Sequence, residues 1–373
     1  MDHRESTVGQ AGEDAVLTEV MEIVAPFNAR RGAHLLLGPG ADDAALLVPR
    51  PGSQLVLTTD TMSQDQDFRP CWWSGPEQLA AGAFEPPDEY PMEVGTKAAA
   101  QNLSDISAMG AQPTALLISL TLPRTMPLTW VADFYRGVVR ACEQPGAQRC
   151  VIAGGDLGRG DVVSVTITAV GELAAGSAGL RRDAAAPGDT LAVCGPLGRA
   201  AAGLALLEES SGPEGGTAIS PQQQELFTHH EELFGVCMRA QTRPAPPLEA
   251  GPAALAAGGR GGMDISDGLL RDAARLARAS GVDIHLDDDV LAEEARTLEP
   301  VAAYLGRPPE QARHQALTWV MGGGEEYALL GTFPAGVVLP EGFRRIGEVR
   351  EKADGVPRVV TGHVVSNVGW SSL

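Results

Sequence analysis

An α/β chain of two domains is what the sequence predicts, on three observations. Short β-rich runs alternate with longer segments of helical apolar spacing. The composition turns rich in alanine and glycine at 173–179, the expected domain boundary. A chain of 373 residues with 44% apolar side chains also has the material for more than one core. The expected domains are therefore 1–172 and 173–373.

After a polar start, residues 15–27 carry helical apolar spacing. Residues 54–59 read as a strand that delivers Asp60 at its end, a good place for a ligand group. Residues 70–91 hold Trp72, Trp73 and five prolines, and read as an inserted surface loop. Residues 94–109 predict a helix on which Asn102 and Asp105, three apart, share a face. Strands follow at 115–122, 150–153 and 162–170, with a helix at 128–142 between the first two. The second half opens on Pro187-Gly188-Asp189, turning into a strand at 190–194. Residues 210–224 are polar and rich in Gly and Pro, as expected of a mobile insertion. At 266–280 a helix is expected, with Leu269, Ala273, Leu276 and Ala277 as its apolar stripe and Gly281 as its stop. A strand at 327–333 follows the Gly323-Gly324 turn. No internal repeat of fixed period is visible.

The chain carries 28 basic and 48 acidic side chains, a formal charge of −20. Such a surface repels nucleic acid and anionic membranes, so neither is an expected partner. A phosphorylated ligand must be met locally, by metal ions or by arginine, since Lys97 and Lys352 are the only lysines. The five cysteines form no C-x-x-C pair, and no histidine pair has zinc-motif spacing. Scattered thiols, no run of about eighteen apolar residues and no signal-peptide pattern together predict a cytoplasmic protein.

Six acidic patches sit among small residues: Gly40-Ala41-Asp42-Asp43, Thr58-Thr59-Asp60, Asn102-Leu103-Ser104-Asp105, Gly154-Gly155-Asp156, Asp264-Ile265-Ser266-Asp267-Gly268 and Gly323-Gly324-Glu325-Glu326. Asp65 and Asp67 form a weaker seventh. Carboxylates beside glycine can approach a ligand backbone closely, and hard oxygen donors suit Mg²⁺ better than zinc or copper. A magnesium-dependent phosphate enzyme is the resulting expectation. The G-x-x-x-x-G-K-[ST] loop and the G-x-G-x-x-G fingerprint are both missing, which excludes a conventional P-loop kinase.

Each patch also has a plainer reading. Asp42-Asp43 and Gly154-Gly155-Asp156 could be ordinary turns, Thr58-Thr59-Asp60 a strand end, and Glu325-Glu326 the opening of a strand. Asp264, Ser266 and Asp267 could cap a helix, worth about 1 kcal/mol, although one cap needs only one such residue. Asp105 on a small, apolar helix face is costly to bury without a metal or an arginine.

The order of these patches along the chain is a stronger signal. The series Gly40-Ala41-Asp42-Asp43, T-T-D-T, K-A-A-A-Q-N-L-S-D-I-S-A-M-G-A, G-G-D, R-x-x-A-x-P-G-D, M-D-I-S-D-G-L and G-G-E-E-Y, spread over residues 38–370, resembles the thiamine-monophosphate kinase family. The resemblance implies a PurM-like fold of two domains: an N-terminal mixed sheet that pairs across a homodimer interface, and a C-terminal α/β domain. It places the active site in the cleft between the domains. It implies that Asp42, Asp43, Thr58, Thr59, Asp60, Asp105, Asp156, Asp264 and Asp267 hold Mg²⁺ around the ATP phosphates, with Asp60, Asp156 and Asp264 central to catalysis. Gly155, Asp156, Arg182 and Ser266 would contact ATP, Arg182 as a fork-shaped donor to phosphate oxygens. Glu325 matches a substrate-contacting glutamate, and Trp370 an aromatic packed on thiamine, a reasonable use of an indole face toward a cationic ring. A tryptophan there could equally be a structural plug.

Departures from the family pattern are visible. Gly40-Ala41-Asp42-Asp43 is one residue longer than the usual G-D-D. Asp67-Phe68 stands where many members have histidine before phenylalanine, leaving Asp67 as a substrate-facing carboxylate. Glu326 and Ala328 replace an aspartate and a glutamate.

The reaction implied is in-line transfer of the ATP γ-phosphoryl group to thiamine monophosphate, giving thiamine diphosphate and ADP. The acceptor is already an anion, so no strong base and no phosphoenzyme are expected; relief of charge repulsion is the central task. Relatives on the same fold fit less well. Selenophosphate synthetases carry a reactive residue in an N-terminal glycine-rich segment, whereas the first cysteine here is Cys71, and hydrogenase-maturation relatives end in cysteine, whereas this chain ends in Leu373. Signatures of aminoimidazole ribonucleotide synthetase are not apparent. A non-catalytic Mg-nucleotide sensor is the alternative of a different class.

Overall fold

The structure is a computed structural model that describes residues 6–74, 90–211, 220–353, 355–365 and 369. The described residues fall into two compact units. The first takes those of 1–70, 87–107 and 111–177; the second takes those of 71–86, 108–110 and 178–373.

In chain order the first unit holds α1 (Val8–Ala11), α2 (Glu13–Arg31), β1 (Leu35–Leu37), β2 (Leu46–Leu47) and β3 (Gln54–Ser63). The short α3 (Cys71–Ser74) belongs to the second unit. The first then resumes with α4 (Tyr90–Ala108), whose last residue is shared out to the second unit, β4 (Gln112–Leu122), α5 (Leu128–Cys142), β5 (Val151–Arg159) and β6 (Ser164–Leu173). Its main sheet runs β3-β6-β4-β5 and is mixed, because β4 and β5 are parallel and the other pairs antiparallel. Strict alternation builds its core. On β6, Val165, Ile167 and Ala169 are buried while Ser164, Thr166 and Thr168 point the other way. Where α4 passes α5, the backbones nearly touch. A Cβ on Gly95 would lie 2.0 Å from the Phe134 carbonyl oxygen, and one on Gly137 1.9 Å from that of Met92.

The second unit continues with β7 (Thr190–Cys194), α6 (Arg199–Ser211), α7 (Pro221–Thr242), α8 (Ala250–Ala256), β8 (Gly262–Ile265), α9 (Leu269–Ser280) and β9 (Val282–Leu286). It closes with α10 (Asp288–Arg296), α11 (Glu299–Tyr304), α12 (Pro309–Gly322), β10 (Ala328–Phe333), β11 (Phe343–Glu351) and β12 (Val359–Val360). The six-stranded sheet has the order β12-β9-β11-β7-β10-β8. Leu180, Ala192, Ala254 and Phe333 form one of its buried clusters. On α9 the expected stripe of Leu269, Ala273, Leu276 and Ala277 is buried, and Gly281 ends the helix at φ 70°, a left-handed backbone that glycine adopts without strain.

Several elements differ from their sequence expectation. Asp60 lies inside β3, not at its end, because pairing with β6 continues to Ser63. Gly154-Gly155-Asp156 lies within β5 rather than in a turn. A Cβ at Gly155 would sit 1.9 Å from the Ile118 carbonyl oxygen, so glycine is what lets this strand lie against β4. The helix expected at 266–280 begins only at Leu269, because residues 266–268 turn out of β8 first. The ends of the expected 210–224 insertion are helical: Ser211 closes α6, and Ser220 caps α7, its hydroxyl accepting from Gln223 N at 3.2 Å. Residues 212–219 and most of the 70–91 stretch lie outside the described residues.

Candidate functional site

In the first unit, β3 and α4 bring together part of the acidic series. Thr58 and Asp60, two apart on the strand, share one face. Thr58 Oγ1 donates to Asp105 Oδ2 at 2.6 Å, and Asp60 N donates to Asn102 Oδ1 at 3.1 Å. Asn102 is fully buried and braced in turn by its Nδ2 bond to Ala98 O at 3.0 Å. The three-residue helical spacing thus aims Asn102 and Asp105 at successive places along one strand. Burial raises the Asp60 pKa to about 6, with further contributions from the Asp105 and then the Asp67 charge. Carboxylates crowded so that one resists ionisation, with a threonine hydroxyl beside them, are the donors a hard divalent cation takes.

The other predicted ligands of this unit do not join that group. Thr59 points to the opposite face, its Oγ1 donating to Ile167 O at 3.1 Å and accepting from Thr168 Oγ1 at 3.0 Å. Asp156 falls in register with Ser119, which pairs with Thr166 and so lines up with Thr61, while Asp60 lines up with the buried Ile167 and Ile118. Asp60 and Asp156 therefore face opposite sides of the sheet, with two strands between them, roughly 14 Å at the usual spacing. One ion with bonds of about 2.1 Å cannot bridge them within a single copy of the unit. Asp42 and Asp43 lie exposed between β1 and β2, where Asp43 N donates to Asp42 Oδ1 at 2.9 Å. Asp67 ends a tight turn after β3, its Oδ2 accepting from Ser63 N at 2.7 Å.

The second unit pairs two turns. Strand β8 carries Asp264, which is 3% exposed, and the segment after it Ser266 and Asp267; the segment before β10 carries Gly323, Gly324 and Glu325. They interlock through Glu325 N to Ser266 O at 2.8 Å and Tyr327 N to Ile265 O at 2.9 Å. Glu325 and Tyr327 adopt φ of 59° and 52°, sparsely populated for side-chain-bearing residues and held here by those bonds. Gln241 Nε2 donates to Glu325 Oε2 in a short contact.

Sequence reasoning missed the group that shapes the first of these turns. Asp272, fully buried on α9, accepts from Ser266 N at 3.1 Å and Asp267 N at 2.9 Å through Oδ2. Arg275 then joins Asp272 Oδ1 at 2.7 Å to Asp267 Oδ2 at 2.5 Å, and Arg271 Nε lies 3.7 Å from the same Asp267 oxygen. Burial raises the Asp272 pKa, offset in part by the Asp267 backbone bond and the Arg275 charge. The i, i+3 spacing of Asp272 and Arg275 was the available signal. Glu326, in the acidic patch that could also open a strand, has a partner that sequence spacing does not reveal. It is 6% exposed, its Oε2 accepts from Ala200 N at 3.0 Å at the start of α6, and burial raises its pKa to about 7.

Arg182 is exposed, with its carbonyl accepting from Ser280 Oγ at 2.7 Å. Trp370 lies outside the described residues, while Gly369 lies against Asp267 and Arg271. Among the described residues, no three His, Cys, Asp or Glu side chains already converge as a closed metal cage.

Residues 41–173 match the family model for the AIR synthase related protein, N-terminal domain. A thiamine-monophosphate kinase of Mycobacterium tuberculosis (strain ATCC 25618 / H37Rv) is 35% identical, covering 98% of this chain and 93% of that protein. The crystal structure of thiamine-monophosphate kinase from Stenotrophomonas maltophilia K279a superposes with a TM-score of 0.68 at 29% identity, covering 91% of this chain and 95% of that one. The structure of AaThiL complexed with AMPPCP and TMP gives 0.66 at 27% identity, with 97% of each chain covered.

Proposed function

The chain belongs to the thiamine-monophosphate kinase family, and from that premise we propose that it transfers the γ-phosphoryl group of ATP directly to thiamine monophosphate, giving thiamine diphosphate and ADP. The similarity to the mycobacterial kinase over nearly the whole of both chains carries this reading, because it takes in both units and not the matched N-terminal model alone. A solved relative that holds an ATP analogue together with TMP supports the substrate pair.

The metal is magnesium in this proposal. The Thr58, Asp60 and Asp105 group suits it in donor type, and its crowded negative charge is what a bound cation would relieve. When bound, magnesium neutralises phosphate oxygens and lowers the repulsion between donor and acceptor. The chain's own residues then orient the reactants. Asp42, Asp43, Asp156, Asp264 and Asp267, with Thr59, are assigned to the remaining metal contacts; Gly155, Arg182 and Ser266 to ATP; and Asp67, Glu325 and Trp370 to the thiamine end. For Asp267 this requires a share of a carboxylate that Arg275 already holds.

A homodimer is part of the same reading. The first-unit sheet turns Leu55 (53% exposed), Leu57 (65%) and Leu117 (41%) outward beside Thr59 and Thr61, a face that pairing with a second copy would cover. A cytoplasmic location rests on the five free cysteines, four of them buried. Among the described residues no helix is long and apolar enough to cross a membrane.

The deciding experiment offers MgATP with thiamine monophosphate, thiamine or an aminoimidazole precursor and follows ADP, with products identified by mass. Thiamine diphosphate formed only from thiamine monophosphate is the expected outcome. ATP binding without turnover on that acceptor would sink the kinase reading.

A further inference from the structure

Lys97, one of two lysines in the chain, is 1% exposed on α4 and has no part in the chemistry described so far. Burying an ammonium costs several kcal/mol unless its protons find acceptors, and a methionine or leucine would fill the same volume at lower cost. The charge is therefore explained by what it holds.

Among what it holds is the turn after β3. Lys97 Nζ donates to the backbone oxygen of Asp67 at 2.8 Å. That turn is closed on itself: Asp67 N donates to Ser63 O at 3.0 Å, Ser63 N to Asp67 Oδ2 at 2.7 Å, and Asp65 N to Phe68 O at 2.8 Å. Asp65 at its tip has φ 67°, and Phe68 behind it is fully buried. The lysine thus ties the end of the β3 strand, which carries Thr58 and Asp60, to the helix that carries Asn102 and Asp105.

We propose that Lys97 is a positioning residue for phosphoryl transfer, fixing the Ser63 to Phe68 turn so that Asp67 meets the thiamine end of the acceptor in one orientation. It acts through Asp67 and does not itself touch substrate. The proposal rests on the reading of Asp67 as substrate-facing.

The test compares the wild-type protein with Lys97→Met, which keeps volume and removes the charge, and Lys97→Gln, which keeps a shorter neutral donor. For Lys97→Met the KM for thiamine monophosphate should rise about tenfold, the size of one charge-assisted hydrogen bond. The KM for ATP should stay within about twofold and kcat within about threefold. Hydrogen exchange should accelerate at the amides of Ser63, Asp65 and Asp67, with Lys97→Gln intermediate in both readouts. Unchanged exchange in that turn, or a fall in kcat with the acceptor KM intact, overturns the proposal. Should Lys97→Met fail to fold, Lys97→Gln decides by the same two readouts. Wild-type protein without turnover would overturn the substrate reading, while exchange would still decide whether Lys97 fixes the turn.

Discussion

The two acidic regions are built on opposite electrostatic plans. In the first unit Thr58 donates to Asp105 and Asn102 accepts from the Asp60 backbone, while burial, and then the Asp105 and Asp67 charges, lifts the Asp60 pKa to about 6. In the second unit Asp267 and Asp272 are already compensated, by Arg275, Arg271 and two backbone N–H groups. Excess negative charge in one place and spent negative charge in the other imply different work. On the proposed reading a cation would relieve the first region, whereas in the second Asp272 and Arg275 fix the shape of a turn.

The largest effect should come from the first region. Asp60→Asn should lower kcat at least about 100-fold, the usual scale for removing a charge-stabilising group, while thermal stability stays level or rises as repulsion is relieved. Steady-state ADP release with a melting curve checks both halves, and near-normal turnover would erase the contrast between the regions.

Next in size, Arg275→Ala should cost about 2 kcal/mol of stability, because it strands the buried Asp272 carboxylate. Chemical denaturation measures this directly. A loss below about 0.5 kcal/mol would mean that the second region is not held by its ion pairs.

The smallest effect is a pH dependence. A raised folded pKa means that Asp60 takes up its proton as pH falls through about 6, and a protonated carboxylate is a poor metal ligand. Between pH 7.5 and 5.5 the magnesium concentration for half-maximal activity should rise about fourfold through this group, by simple proton competition. Titrations at the two pH values, repeated with Asp60→Asn, would show whether that residue is the source; an unchanged requirement would place the binding carboxylates elsewhere.

Much of the fold was legible in the sequence because local pattern and tertiary demand coincide there. The stripe of α9, its Gly281 stop and the span of α5 are local facts that packing did not overrule. The site was legible as a set of residues but not as a geometry. That Thr58 and Asp60 share a face while Thr59 does not follows from strand parity, once β3 is known to run on to Ser63. That Asp156 sits across the sheet from Asp60 follows only from the strand order. Gly155 looked like access for a phosphate, and the structure gives it a second reason in the closeness of β4. The Asp272–Arg275 pair was legible in its i, i+3 spacing, but the two backbone amides that Asp272 accepts from belong to a turn whose shape sequence spacing cannot give.

The crossing of α4 and α5 sets a limit on how this protein can change. Gly95 and Gly137 let the two helices sit closer than any side chain would allow. The seating of α4, and with it the meeting of Asp105 and Thr58, thus depends on one glycine in each helix. A single methyl added at Gly137 would act on α4 as a wedge acts on a hinge, moving Asn102 and Asp105 without touching them.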